Sequence, residues 1–149
     1  MKKSFLVEII AFLFVILFLY TGVSKLMDYA VFKEQIATSP LLRPISAWAG
    51  ILLPLSEFVV AILLFLPKWR LKGLYAALGL MVIFTGYIGA ILLLDDHIPC
   101  SCGGVIELLS WKGHLIFNGV WIGLALTGII LERGSRKIVP INTTYLSHS

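Results

Sequence analysis

Four long apolar stretches constrain the fold of this chain more than any other feature. They run over about residues 5–24, 46–66, 74–94 and 113–131. A helix needs about 20 residues to cross the hydrocarbon core of a bilayer, and each stretch meets that length. The stretches are continuous rather than alternating, which favours helices over the strands of a barrel. We therefore expect an all-α membrane protein folded as a four-transmembrane-helix bundle.

The composition agrees with a lipid environment. Of the 149 residues, 59% are hydrophobic and 13% are charged, whereas a soluble domain carries about 25% charged residues. The formal net charge is +4, but the basic residues lie in short clusters at the ends of the apolar stretches. Such clusters are typical of topology signals and not of a nucleic-acid-binding face. We expect the lipid bilayer as a partner and no nucleic acid.

The chain is long enough for one domain. We assign residues 1–137 to the transmembrane domain, and we expect the polar residues 138–149 to form a disordered tail. The first stretch follows two lysines, as a secretory signal would. However, its apolar run exceeds the usual core of about 7–15 residues, and no small-x-small cleavage site follows it. We interpret it as a retained helix.

The distribution of basic residues predicts the orientation in the membrane. With the amino terminus inside, the cytoplasmic side collects eight of them, which are Lys2, Lys3, Lys68, Arg70, Lys72, Arg133, Arg136 and Lys137. The outer side keeps four, which are Lys25, Lys33, Arg43 and Lys112. The positive-inside rule then places both termini in the cytoplasm. We expect a multi-pass protein of the bacterial cytoplasmic (inner) membrane.

The connection between the first two stretches, about residues 25–45, is predicted to hold a short amphipathic helix on the outer surface. Its apolar residues recur at helical spacing. They are Leu26, Tyr29, Phe32 and Ile36. The Ser39-Pro40 step should end this helix, because proline disfavours helical conformation in the residue before it.

Cys100 and Cys102 are the only cysteines, and they lie in the segment Pro99-Cys100-Ser101-Cys102-Gly103-Gly104. The predicted topology puts this segment outside the membrane, where disulfides persist. A disulfide across one intervening residue is a tight ring, and such strain makes a disulfide easier to reduce. This pattern predicts a reversible redox pair. The alternative is a structural role, as small buried side chains or as a static disulfide.

A thiolate is the reactive form of cysteine, so a nearby cation or helix amino terminus would activate the pair. Lys25, Lys112 and the start of the fourth span are candidates. A metal site is the competing interpretation, with His97 and His114 completing a four-ligand set for zinc or copper(I). The spacing between these residues is not a standard zinc signature. We therefore expect no bound metal.

Three polar residues inside the spans are further candidate site residues. Glu57 lies near the middle of the second span, where a carboxylate is costly and by default functional. His114 and Asn118 are four residues apart on the fourth span and so share one helix face. With Thr85 and Tyr87, they suggest a polar column that carries protons toward the thiols. The competing interpretations are a protonated Glu57 bonded to a neighbouring helix, and a His114 that only anchors its helix at the headgroups.

The chain resembles the MauE branch of the DoxX-like membrane proteins. The resemblance covers about residues 5 to 132 and rests above all on Pro99-Cys100-Ser101-Cys102-Gly103-Gly104. Two weaker motifs agree, Gly22-Val23-Ser24-Lys25-Leu26 and Pro54-Leu55-Ser56-Glu57. The resemblance implies redox work outside the cytoplasmic membrane with a thioredoxin-like partner, in the maturation of a disulfide-rich protein. In the familiar form of the motif Phe-Gly follows the second cysteine, whereas this chain has Gly103-Gly104. That departure bears on the substrate more than on the chemistry.

Together these features predict a membrane thiol–disulfide electron-transfer protein that acts with a periplasmic thioredoxin-like partner. Cys100 and Cys102 would be the redox pair, supported by Glu57, His114 and Asn118. A quinone-coupled thiol oxidoreductase is a second hypothesis, although such bundles normally use more than one cysteine pair. A third is a non-enzymatic assembly or anchoring subunit of a membrane complex, with a structural disulfide, and a fourth is a metal carrier.

Overall fold

The computed structural model describes residues 2–39, 42–94 and 111–138, and these ranges are almost entirely helical. Its five α-helices are α1 (Lys2–Met27), α2 (Tyr29–Thr38), α3 (Ser46–Phe65), α4 (Arg70–Leu94) and α5 (Trp111–Ile138). A single 3-10 turn, Arg43–Ile45, leads into α3. No strand occurs in these ranges. The helices α1, α3, α4 and α5 are long and apolar enough to cross a membrane, which confirms the predicted fold class.

The spanning helices extend beyond the apolar stretches at several ends. The largest extension is at the end of α5, which continues through polar residues to Ile138. There Arg136 donates to Glu132 at 3.0 Å, one turn earlier in the helix. Such pairs support an exposed helical turn. Ile138, which we assigned to the tail, therefore belongs to α5, and the rest of the predicted tail, residues 139–149, lies outside the described part of the chain.

The four spanning helices pack in a ring in the order α1, α3, α4, α5, and neighbours run antiparallel. Glycines mark the close approaches. A Cβ at Gly73 of α4 would lie 2.8 Å from the backbone nitrogen of Leu64 in α3. A Cβ at Gly128 of α5 would lie 3.3 Å from Ile10 of α1. In this ring order, α3 and α5 occupy opposite corners.

The antiparallel order gives the bundle two ends. We call the end at which α4 stops and α5 starts the cysteine end, because residues 95–110 join these helices there. At the opposite end lie the start of α1, the turn between α3 and α4, and the end of α5. Arg136 donates to the carbonyl of Pro67 at 3.4 Å and so ties α5 to that turn.

The apolar core fills the bundle toward the opposite end. It joins side chains from all four spanning helices that are less than a tenth exposed. These are Val7, Ile10, Ala11, Phe14, Phe18, Val60, Ala61, Leu64, Leu74, Ala77, Met81, Ala125 and Ile129. Phe14 is central, because its ring meets the ring of Trp121 edge-on at 4.8 Å between centroids.

The spacing of its apolar residues predicted the short helix α2, and the structure places this helix at the cysteine end. Phe32 and Ile36 are buried against Ala49 of α3, while Leu26 belongs to α1 and is half exposed. The apolar face of α2 therefore packs mainly on the bundle itself. The helix ends at Thr38, and Pro40 lies outside the described residues.

Candidate functional site

A buried ion pair links α1 to α3 at the cysteine end. The ammonium group of Lys25 donates to Oε1 of Glu57. The side chain of Glu57 is 1% exposed and that of Lys25 is 19% exposed. A charged carboxylate in so apolar a place requires a counter-charge, because its desolvation is otherwise uncompensated. Lys25 is the residue that supplies it.

Two aromatic rings complete the surroundings of the Lys25 ammonium group. Its nitrogen lies 5.2 Å from the ring centroid of Phe84 in α4 and 5.7 Å from that of Phe32 in α2. Both distances fall within the range of cation–π attraction. Through Glu57 and these rings, one lysine of α1 contacts α2, α3 and α4. The site therefore joins α2 to three spanning helices.

The second oxygen of Glu57, Oε2, is buried and has no hydrogen-bond partner in the described part of the chain. Buried oxygens of this kind are uncommon, because an unmade hydrogen bond is costly. A hydrogen-bond donor brought to Oε2 would remove that cost, and the hydroxyl group of Thr21 in α1 is already close enough to interact with this carboxyl group. One oxygen of the carboxyl group is therefore bound to Lys25, and the other makes no hydrogen bond of good geometry in the described part of the chain.

Ser39 and Tyr87 form a second polar contact near the same end. The Tyr87 hydroxyl group donates to Oγ of Ser39 at 2.7 Å, and Ser39 is 1% exposed. This bond fastens the end of α2 to α4. Thr85, a member of the predicted polar column, donates to the carbonyl of Met81 at 2.6 Å within its own helix.

His114 and Asn118 are both buried on one face of α5, with 7% and 3% exposure. The Nδ2 group of Asn118 makes no hydrogen bond in the described structure. It does not bond to Glu57, which stands on the helix at the opposite corner of the ring. The structure therefore brings His114 and Asn118 together on α5 but gives Glu57 its partner on α1.

The two cysteines and His97 lie outside the described residues, so the predicted disulfide and the competing metal site stay predictions. The structure does fix the helices at either side of them, with α4 ending at Leu94 and α5 beginning at Trp111. Among the described residues, no three His, Cys, Asp or Glu side chains come together as a metal site would require.

The Lys25–Glu57 pair and the role of Ser39 escaped the sequence analysis. Lys25 was considered as a cation that activates the cysteines and Glu57 as an acid in the middle of a span, so the two were not paired. The signal was present, since an acid inside a membrane span usually has a cationic partner. Lys25 stands near the end of the span that comes just before the span of Glu57.

Comparison with known proteins supplies the family. A family model described as methylamine utilisation protein MauE matches residues 3–131, which covers all four spanning helices except the last turns of α5. No curated protein and no solved structure matches the chain. The matched range contains the buried ion pair, the cysteine segment and His114 with Asn118. The chain therefore belongs to the MauE family and is a multi-pass membrane protein of methylamine utilisation.

Proposed function

We propose that this protein transfers electrons by thiol–disulfide exchange, with Cys100 and Cys102 as the redox pair. The observation that carries the proposal is the position of these two cysteines. They are the only ones in the chain, and they lie in the segment that joins α4 to α5. A pair in a segment that connects two spanning helices would be within reach of a partner protein in the adjoining aqueous compartment.

The exchange needs no reactant beyond the partner. A thiolate of the reduced pair attacks one sulfur of the partner's disulfide, and a mixed disulfide forms while the partner's other sulfur leaves as a thiol. The second cysteine then attacks the mixed disulfide and releases the reduced partner. Two electrons and two protons thereby pass from the dithiol to the partner. The reverse direction follows the same steps.

The partner we propose is a thioredoxin-like protein in the periplasm, with this chain in the bacterial cytoplasmic membrane. The charge bias supports that orientation. Eight basic residues belong to the opposite end of the bundle and four to the cysteine end, and cytoplasmic ends carry the excess of lysine and arginine. The exchange would serve disulfide formation in, or maturation of, an extracytoplasmic protein.

Three buried polar residues of the bundle are assigned a supporting role in this exchange. His114 and Asn118 line one face of α5, the helix that follows the segment. Glu57 holds an unpartnered oxygen in the same half of the bundle. We assign these three residues to the movement of protons during exchange or to the orientation of the segment.

The test is a redox titration of the cysteines in intact inverted and right-side-out membranes. Samples are equilibrated in graded mixtures of reduced and oxidised dithiothreitol, and free thiols are then trapped with a membrane-impermeant maleimide. We expect labelling from the periplasmic face and a reversible transition at a potential within the range of thioredoxin-like proteins. The Cys100→Ser/Cys102→Ser double variant is the control, since it should take up no label.

Three results would contradict the proposal. A disulfide that stays oxidised under every dithiothreitol ratio would indicate a static structural role. Thiols that become labelled only after treatment with a metal chelator would indicate a metal carrier. Labelling from the cytoplasmic face alone would overturn the orientation and the periplasmic partner.

A further inference from the structure

The end of the bundle opposite the cysteine end holds many cations and few acids. Its basic residues are Lys2, Lys3, Lys68, Arg70, Lys72, Arg133, Arg136 and Lys137, and its acidic residues are Glu8 and Glu132. Glu132 is paired with Arg136. No other cation at this end has a carboxylate partner in the described part of the chain. Such an excess sets topology, so a ligand has to be argued from how particular cations are placed.

Aromatic side chains position two of these cations where α4 packs beside α5. The Nζ atom of Lys72 lies 4.3 Å from the ring centroid of Trp69. Nη1 of Arg133 in α5 donates to the hydroxyl group of Tyr75 in α4 at 3.5 Å. Lys72 and Tyr75 are three residues apart and therefore share one face of α4. We call Trp69, Lys72, Tyr75 and Arg133 the seam site, because they bring cations from both helices to one seam.

The two aromatic residues indicate the depth of the seam site in the membrane. Trp69 is 41% exposed and Tyr75 is 46% exposed, so neither ring belongs to the core of the bundle. Half-exposed tryptophan and tyrosine near the ends of spanning helices prefer the interface between hydrocarbon and water. The phosphate groups of lipids lie at that interface. Lys72 and Arg133 are therefore held at the level of the lipid phosphates.

Toward the middle of the membrane, the same helix faces continue as open apolar surface. On α4, Tyr75 is followed one turn later by Gly79, where an added Cβ would meet nothing within 4 Å, and then by exposed Val82. On α5, exposed Ile130 lies almost one turn before Arg133. Residues at these spacings share a helix face. An acyl chain can therefore lie against both helices below the cations.

Arg70 adds a cation that no protein group neutralises. It opens α4, and its Nε atom is buried without a hydrogen-bond partner among the described residues. The first turn of α4 contains no acidic residue, and cations are unfavourable at the positive end of a helix macrodipole. A phosphate group near this turn would reduce that cost, because it supplies negative charge and strong hydrogen-bond acceptors.

We propose that the seam site binds the phosphodiester headgroup of an anionic phospholipid, with one acyl chain along the exposed faces of α4 and α5. Lys72 attracts the phosphate as a point charge, and the guanidinium group of Arg133 matches two of its oxygens. Basic pockets between spanning helices are suited to such headgroups. Phosphatidylcholine carries its own ammonium group, which these cations repel, so the site selects a net negative lipid. This binding is independent of the thiol exchange proposed above.

The experiment measures lipid binding to the purified full chain by native mass spectrometry. The protein in mild detergent is titrated with phosphatidylglycerol and, separately, with phosphatidylcholine of the same acyl chains. We expect one phosphatidylglycerol molecule to bind more tightly than any phosphatidylcholine. Lys72→Gln and Arg133→Gln should each lower the affinity for phosphatidylglycerol about fivefold, which corresponds to the roughly 1 kcal/mol that one cation contributes near anionic lipid.

The matched control removes an equal charge from the same end of the bundle. Lys3→Gln changes α1, which stands at the corner of the ring opposite α4, and it should leave the affinity within about twofold of the unchanged protein. Arg133→Lys keeps the positive charge and should lose less affinity than Arg133→Gln. Helix content and the elution volume in gel filtration identify any variant that fails to fold. Because Lys72 and Arg133 lie on different helices, either variant alone still tests the site.

Three results would overturn the proposal. Equal losses in Lys3→Gln and Arg133→Gln would show that the charges act only as a diffuse field, as a topology signal does. Phosphatidylcholine that binds as tightly as phosphatidylglycerol would show that the seam takes lipid without reading its charge. Displacement of the bound lipid by an excess of inorganic phosphate would identify the seam as a site for a soluble anion.

Discussion

The two ends of this bundle are built from different kinds of residue. Toward the opposite end, the core consists of apolar side chains such as Val7, Ile10, Leu74 and Ala125. Toward the cysteine end, the interior holds polar ones. The described residues with buried polar side chains are Ser39, Glu57, His114 and Asn118, and all of them lie in that half. We call the first the packed half and the second the polar half.

In a membrane, the two halves differ in what stabilises them. Apolar side chains gain little from leaving lipid for the bundle, so the packed half is held together by close fit between helices. Buried polar groups must find partners or cost stability. Two of them retain an unpartnered atom, Oε2 of Glu57 and Nδ2 of Asn118. The fold therefore accepts a cost in the polar half, where the proposed chemistry lies, and the packed half offsets it.

The largest effect should come from removing a side chain at the centre of the packed half. We expect Phe14→Ala to lower the free energy of unfolding by about 2–4 kcal/mol, because it leaves a cavity beside Trp121. Phe12→Ala is the matched control. Phe12 is 61% exposed on the same helix, and Phe14 is fully buried, so the control should change stability by less than about 1 kcal/mol. Unfolding in mixtures of dodecyl maltoside and sodium dodecyl sulfate measures the free energy of unfolding of both variants. Equal losses of stability in the two variants would show that this half is not the packed one.

The close contact between α3 and α4 should come next. We expect Gly73→Ala to cost about 1–3 kcal/mol, since its Cβ would lie 2.8 Å from the backbone of Leu64 and the helices would have to separate. Gly79→Ala in the same helix has nothing within 4 Å of the added atom. Its stability should stay within about 1 kcal/mol of the unchanged protein. The same unfolding assay applies, and a Gly73→Ala protein as stable as Gly79→Ala would contradict the packing of α3 on α4.

The packed half was the easier one to predict from sequence. Continuous apolar stretches determine spanning helices, since a backbone in lipid must form its hydrogen bonds within the helix. The apolar period that includes Tyr29, Phe32 and Ile36 likewise predicted α2. Partners inside the bundle depend on how helices align with one another, which a single sequence does not encode locally. Glu57 was therefore recognised as a candidate while its contact with Lys25 was missed.

A smaller effect should come from the bond between α2 and α4. We expect Tyr87→Phe to cost about 0.5–1.5 kcal/mol, because it removes the donor to buried Ser39. Ser39→Ala should cost a similar amount, and the double variant should cost less than the sum. Tyr75→Phe is the control, because this half-exposed hydroxyl group at the opposite end only accepts a long, exposed hydrogen bond from Arg133 at 3.5 Å, which contributes little. Strictly additive losses from Tyr87 and Ser39 would show that the bond contributes nothing to stability.

The smallest change in stability should accompany a loss of function. Asn118 is buried with an unpartnered Nδ2, so replacing it by leucine removes an unmade hydrogen bond and keeps a similar volume. We expect Asn118→Leu to be as stable as the unchanged protein or up to about 1 kcal/mol more stable.

If the polar half serves the proposed electron transfer, Asn118→Leu should also transfer electrons to a thioredoxin-like partner at least several-fold more slowly. Thr127→Val, an exposed change on the same helix, should leave that rate unchanged. A stabilised Asn118→Leu protein with full activity would show that the polar residues of α5 are not part of the functional half, and would leave Lys25 and Glu57 as its centre.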